Sequence, residues 1–285
     1  MPRELSRRQD QATPLTASPN AQTPRFGSFA EDMRYPGLEK EGNLHPYIQT
    51  LTVADLESCV ALENAAFPEH ERCSREKFIY RLTTCPEIAL GLFSTSDVNG
   101  LAASSPTYPS ARPPDSENPS QKGVLIGHVI ATQSSASRVT DASMEFPQDW
   151  QSNCSSTDTR GHQEGGRSIV VHSVAIVPNF HGRGFGKMML KSYVQRMEAS
   201  GIGDRIILLA HDELIKFYEN SGFRDQGQSE VKFGGGGWND MASKFHWHKI
   251  KLLDYSDRSI SSHTNSHSSN HPFGAQLPPF GRQNF

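Results

Sequence analysis

Apolar residues recur in short runs along this chain, and their spacing alternates between strand-like and helix-like. Order begins with a short strand at Tyr47–Leu51. Thr52 and Asp55 then form a capping-box pair, and Leu56, Cys59, Val60 and Phe67 follow at helical spacing until Pro68 ends the run. Ser74 is placed to cap a second helix carrying Phe78, Leu82 and Cys85 on one face. Ile88–Phe93 and Val124–Ala131 read as strands flanking a long hairpin. Strand 168–177 runs into a glycine-punctuated turn and then a helix over about 184–199. Met189, Tyr193 and Met197 repeat at four on that helix, so they are expected to face the core. Gly201 and Gly203 stop it, and Arg205–Ala210 is a buried strand. Asp212 is placed to cap a short helix through Asn220, with Gly222 at the left-handed C′ position. Phe223 leads into Val231-Lys-Phe233. Gly234–Gly237 is a flexible link, and Trp238–Leu253 closes the domain with one or two strands.

This order predicts an α+β fold, a mixed and mostly antiparallel twisted sheet flanked by helices, over residues 46–255. Polar, aperiodic stretches interrupt it at about 94–122 and 134–167 and read as low-complexity insertions. Residues 1–45 and 256–285 read as a disordered arm and tail. Thr13-Pro14, Ser18-Pro19 and Thr23-Pro24 would open the arm to a phosphorylation-dependent partner.

Composition adds exclusions. The chain has 285 residues, 35% of them apolar, and a formal net charge of -3. Its mean hydropathy of -0.57 fits an ordinary core diluted by polar segments. No basic excess suggests nucleic acid, and no apolar run is long enough to suggest a membrane span. The first residues lack the apolar core of a secretory leader. Cys59, Cys73, Cys85 and Cys154 show no metal-ligand spacing and read as reduced thiols. The expectation is a cytoplasmic monomer with no metal. His246-Trp-His248 and the His263, His267, His271 series add only the prospect of adventitious metal binding.

The most informative stretch is Val177-Pro-Asn-Phe-His-Gly-Arg-Gly-Phe-Gly-Lys187, following Ile169–Ile176. Glycines let backbone amides approach an anion, and a helix N-terminus adds partial positive charge. The order strand, glycine turn, helix therefore points to a phosphorylated ligand.

These motifs resemble the GNAT superfamily of acetyl-CoA-dependent N-acetyltransferases, whose cofactor signature is Gln/Arg-x-x-Gly-x-Gly/Ala. Here it reads His181-Gly-Arg-Gly184-Phe-Gly186, with His at the first position. Three segments are similar to the aralkylamine (serotonin) N-acetyltransferases and their fungal polyamine-acetylating relatives. They are Leu62–Phe67 with Cys85–Phe93, then His172–Val177, then Asp212–Phe223. The resemblance implies acetyl transfer from acetyl-CoA to a small primary amine by direct attack. It implies that backbone groups of Val174, Ala175 and Ile176 hold the pantetheine arm and acetyl carbonyl. It places the diphosphate on Gly182, Arg183, Gly184, Phe185, Gly186 and Lys187, and the amine near Phe67 and Pro68.

An alkylamine with a pKa of about 10.4 is neutral in roughly one molecule per thousand at pH 7, so a proton acceptor is needed. His172, inside an apolar strand, is the candidate base. Alternation puts it on a face with Val170, Val174 and Ile176; a structural histidine is the competing reading. The resemblance implies two histidines on this strand, and Val170 stands where the first would be. Tyr218 is the candidate acid for the departing thiolate, or else a core aromatic. A phenol at about 10 giving its proton to a thiolate near 8.5 is uphill by roughly 2 kcal/mol, so hydrogen bonding to sulfur serves as well. Glu69, Glu71 and Glu87 could attract a cation, and Trp238 could line an aromatic pocket. Acetylation of protein lysines or N-termini, and a non-catalytic acyl-CoA sensor, are the alternatives.

Overall fold

The computed structural model describes residues 44–95, 106–110, 122–152 and 158–245. The proline-directed sites, Cys154, the histidines from His246 onward and most of the 94–122 stretch lie outside the described residues.

Seven strands form one sheet: β1 (Pro46–Thr50), β2 (Leu90–Ser94), β3 (Val124–Ser134), β4 (Ser168–Ile176), β5 (Arg205–Ala210), β6 (Arg224–Gln228) and β7 (Asn239–Lys244). Their spatial order is β1-β2-β3-β4-β5-β7-β6, and only β4 and β5 pair in parallel. Among the described residues five α-helices accompany them: α1 (Leu56–Ala66), α2 (Arg75–Thr84), α3 (Asp141–Met144), α4 (Phe185–Ser200) and α5 (Ile215–Glu219). Neighbouring residues on β3 show how the layers stack. Gly127 faces α4, where an added Cβ would lie 3.1 Å from Met189 Sδ. His128, pointing the other way, meets Glu63 of α1 and Phe78 of α2. The sheet is thus covered on both faces, which is why β3, β4 and β5 read as near-continuous apolar runs.

The local signals act as expected at several ends. Thr52 N–H donates to the Asp55 carboxylate at 3.0 Å, and Lys77 N–H donates to the Ser74 hydroxyl at 3.3 Å. Met189, Leu190, Tyr193 and Met197 of α4 are all buried, and Gly201 ends the helix in the left-handed region.

Other expectations are revised. Asp212 does not cap α5: a 3-10 turn over Asp212–Leu214 precedes the helix, and the Asp212 carboxylate instead accepts a hydrogen bond from Asn239 at 2.6 Å. Strand β6 lies on the five exposed residues after Phe223, where periodicity gives no signal and only the ladder to β7 holds the strand. Within 134–167, α3 forms on a Thr140–Ser143 capping box and buries Met144. β3 runs three residues beyond Ala131 because its polar side chains are satisfied: Gln133 Nε2 donates to the Gly166 and Ile202 carbonyls.

The expected alternation along β4 fails at the site itself. Pairing with β3 steps from Ile130↔Ser173 to Ala131↔Val171, leaving His172 as an extra residue in a bulge. His172 stays with Val170 on the side of Met144, whereas Ile176 packs toward α4 beside Gly127 and Met189. One inserted residue resets the period-two pattern, so His172 and Ile176 do not share a face.

Candidate active site

Strands β4 and β5 pair only from Ser168↔Arg205 to Val171↔Leu208. Beyond that point β4 stays on β3 as far as Ile176↔Gly127, so its other edge has no strand partner. The bulge at His172 marks where the two strands part. A cavity of about 540 Å³ opens along the freed edge, with Val174, Ala175 and Ile176 in one wall and Phe67, Leu214, Phe217 and Tyr218 in the other.

The glycine turn closes one end. Gly182, Gly184, Phe185, Gly186 and Lys187 all line the cavity. Gly182 and Gly184 have φ of 75° and 84°, a region that side chains with a Cβ rarely adopt. This geometry leaves the first turn of α4 open: its first ladder bond runs from Met188 N–H to the Gly184 carbonyl at 3.0 Å. Among the described residues no backbone carbonyl accepts from the amides of Gly184–Lys187. Uncapped amides at the positive end of a sixteen-residue helix form an anion cradle. His181 fixes the turn to the sheet, donating from Nε2 to the Ile176 carbonyl at 2.8 Å. Arg183 is not in the wall; its guanidinium lies 5.7 Å from the centre of the Phe180 ring. The open amides, the glycine conformations and the long apolar slot fit the diphosphate and pantetheine arm of acetyl-CoA.

A smaller cavity of about 90 Å³ shares Phe67, Val174, Leu214 and Tyr218 with the first. Its other walls include Glu71, Met144, His172, His211, Phe233 and Trp238. Pro68, Glu69 and Glu87 are not part of it, so only Glu71 of the expected carboxylates reaches the site. The turn bearing Glu71 is pinned from both ends. Arg72 Nε donates to the Phe67 carbonyl at 2.8 Å, and Cys73 N–H donates to Glu63 at 2.9 Å.

His172 is half-buried, with both ring nitrogens engaged. Nδ1 faces Met144 Sδ at 3.4 Å, an acceptor only, so Nδ1 carries the proton. Nε2 then accepts from the Thr132 hydroxyl at 2.8 Å. Burial, then the charges of Arg81 and Lys77, hold the imidazole well below its ordinary pKa. A ring so weakly basic is a poor acceptor for a proton from an alkylammonium. A stability effect follows: below about pH 6.5 the unfolded chain protonates this histidine while the native chain does not. Stability therefore falls as pH drops toward the depressed native value, by at most about 1.4 kcal/mol per pH unit. Urea titrations from pH 7.5 to 5 are expected to show this slope partly flattened in His172→Gln. Only part is removed, because burial also lowers His162.

Tyr218 is buried, and its phenol, raised by burial above the ordinary tyrosine value, keeps its proton. It borders both cavities, and its hydroxyl has no hydrogen-bond partner among the described residues.

Three features escaped sequence reasoning. Thr132 and Met144, the partners of His172, sit in segments with no periodic signal. His211 is the residue immediately beyond β5, at the carboxyl end of a parallel-paired strand where α/β folds gather their sites; that position was the available clue. Beneath the site, Glu63, His128 and Ser173 form a buried cluster. Ser173 donates to Glu63 Oε2 at 2.7 Å, and His128 Nε2 lies 3.1 Å from the same oxygen and 2.9 Å from Ser173 Oγ. Among the described residues no cysteine lines either cavity; burial raises the Cys73 and Cys85 thiols to about 12. Among the described residues no group of three or more His, Cys, Asp or Glu could hold a metal ion, and no helix is long and apolar enough to cross a membrane.

Residues 119–245 match the model of the acetyltransferase (GNAT) domain. That match covers somewhat under half of the chain and, with the splayed β4 and β5 and the open glycine turn, gives the described domain the GNAT fold. A serotonin N-acetyltransferase of Mesocricetus auratus is 24% identical over 153 residues, covering 54% of this chain and 54% of that protein. The serotonin N-acetyltransferase of Macaca mulatta is 21% identical over 167 residues, 59% of this chain and 61% of that protein. The chain thus spans somewhat over half the length of these curated relatives. Among solved structures, the loading GNATL domain of CurA from Lyngbya majuscula is 13% identical, covering 70% of this chain and 98% of that one, with a TM-score of 0.47. The PaiA N-acetyltransferase from Thermoplasma acidophilum in complex with coenzyme A is 14% identical over 70% of this chain and 99% of that one, with a TM-score of 0.42.

Proposed function

We propose that the protein transfers the acetyl group of acetyl-CoA to a small primary amine by direct attack, without an acyl-enzyme. One observation carries this reading. A slot ending in open helix amides shares four wall residues with a second cavity that holds a carboxylate and aromatic rings. The slot suits the diphosphate and pantetheine; the cavity suits an ammonium-bearing chain, and its aromatic walls accept an aralkyl or alkyl body. The weak likeness to serotonin N-acetyltransferases points the same way.

In this mechanism the neutral amine attacks the thioester carbonyl. The C–N bond forms and the C–S bond breaks, the sulfur leaves with the bonding pair, and the proton that the nitrogen sheds as the amide forms neutralises the thiolate. Backbone groups on the unpaired edge of β4 are positioned to hold the carbonyl. Tyr218, which retains its proton, donates a hydrogen bond to the departing thiolate. Tyr218→Phe is expected to lower kcat about 30-fold, within the range for loss of one transition-state donor, while coenzyme A affinity stays within threefold. Stopped-assay thiol release and calorimetry read the two quantities separately.

Side-by-side turnover of tryptamine, spermidine and a histone-tail peptide tests the substrate class. A small amine is expected to exceed the peptide at least tenfold in kcat/KM. Turnover of the peptide alone would favour protein acetylation, and tight coenzyme A binding with no turnover of any amine would favour a sensor.

A further inference from the structure

We propose that His211, oriented by Glu71 and backed by Trp238, takes the proton from the incoming amine. This rests on the reading of the site as an amine acetyltransferase and adds the group which that chemistry requires.

The placement follows from strand register. Ala210 pairs with Asn239 across β5 and β7, so the next residues outward, His211 and Trp238, come face to face. Their rings stack at 4.0 Å with planes 28° apart. Trp238 is itself fixed, its indole N–H donating to the Phe233 carbonyl at 2.7 Å. On the other side of His211, Nε2 lies 3.1 Å from Glu71 Oε1. An ionised carboxylate only accepts, so Nε2 carries the proton and Nδ1 of the neutral ring keeps its lone pair. Among the described residues Nδ1 has no hydrogen-bond partner. A carboxylate that fixes the tautomer of a histidine whose other nitrogen is open is the arrangement of a general base. His172 offers the opposite: both its nitrogens are occupied.

The proton passes from the ammonium nitrogen to His211 Nδ1, freeing the amine lone pair for attack. The imidazolium so formed sits between the Glu71 carboxylate, 3.1 Å from Nε2, and the stacked indole ring of Trp238. The other titratable groups around it are His70, 3.4 Å from Glu71; Asp212, bonded to Asn239; His172; Tyr218; and Asp240, paired with Arg138 at 3.1 Å. The dyad is therefore the open acid–base pair of the small cavity.

The test compares His211→Gln, Glu71→Gln and His172→Gln in the full chain. His211→Gln is expected to lower kcat/KM for the best small amine about 50-fold at pH 7. The loss should narrow to within fivefold by pH 9.5, where more of the amine is already neutral, with coenzyme A affinity within twofold of the parent. His172→Gln is expected to lose less than fivefold and to keep the acidic limb of the pH profile. A readout without turnover accompanies these. Long-range proton–nitrogen NMR of the coenzyme A complex should show His211 as the Nε2-protonated tautomer, a preference lost in Glu71→Gln. An unchanged acidic limb in His211→Gln, or its disappearance in His172→Gln, would overturn the proposal. A parent that binds coenzyme A and acetylates no amine would instead sink the underlying functional reading, while the NMR signature would still judge the dyad.

Discussion

Replacing Gly184 by valine is expected to raise the dissociation constant for coenzyme A about 1,000-fold. Gly184 stands immediately before α4 at φ 84°. A β-branched residue there costs roughly 1–2 kcal/mol to hold in the left-handed region. The chain relieves that strain by rotating the peptide, which turns the amides of Gly184 and Phe185 away from their common focus. Losing two charge-assisted hydrogen bonds to a diphosphate costs about 3–6 kcal/mol, and about 4 kcal/mol is a 1,000-fold change in affinity. Space is not the cause, because nothing lies within 4 Å of a Cβ added at Gly184. Gly184→Ala should therefore fall between parent and valine variant. Calorimetric titration on protein whose circular dichroism matches the parent measures this directly.

The second large effect is on stability. Glu63→Ala is expected to destabilise the domain by about 3–5 kcal/mol, the cost of breaking a buried polar cluster by removing one member. Glu63 is 2% exposed and His128 fully buried. One carboxylate serves the Ser173 hydroxyl, the His128 ring and the Cys73 amide, and so ties α1, β3, β4 and the turn before α2 together. His128 Nδ1 already lacks a partner. Without Glu63 the Cys73 amide loses its acceptor, and His128 Nε2 and the Ser173 hydroxyl keep only each other. Against a typical total of about 5–15 kcal/mol, the variant would be close to unfolding. Converting the cluster to apolar residues together, as Glu63→Leu, His128→Leu and Ser173→Ala, should recover part of the loss, since of the groups Glu63 serves only the Cys73 amide is then left without its acceptor. Urea denaturation of the two variants separates the cost of stranded groups from that of lost packing.

Much of the fold was legible because strong local rules agree with the global arrangement. The β5 run is apolar from Ile206 to Ala210 and became a central strand with the expected ends, Arg205 and Ala210. Gly201 and Gly222 stop their helices in the conformation that only glycine takes easily. β6 was not legible, because an exposed strand held by one neighbour needs no apolar pattern. Nor was the bulge at His172, which depends on a register with β3 that no local periodicity encodes.

The site divides in the same way. The anion cradle is a contiguous motif whose glycines have a backbone reason to be there, and it appears in the structure as one wall of the slot. The smaller cavity is assembled from residues about 140 positions apart, with Glu71 beside His211 and Trp238. Each of those residues alone looks like an ordinary surface acid, loop histidine or core aromatic. Their chemistry arises only where β5 and β7 end together opposite the turn after α1.

The central claim is that the open amides at the start of α4 hold the diphosphate of acetyl-CoA. Amide NMR of the full chain titrated with coenzyme A tests it most directly. The account expects Gly184, Phe185, Gly186 and Lys187 to shift together and saturate at micromolar ligand, with a similar but weaker response to 3′-phospho-ADP, which lacks the pantetheine arm. Saturable binding that leaves those four amides unmoved, or no binding at millimolar coenzyme A, would contradict it.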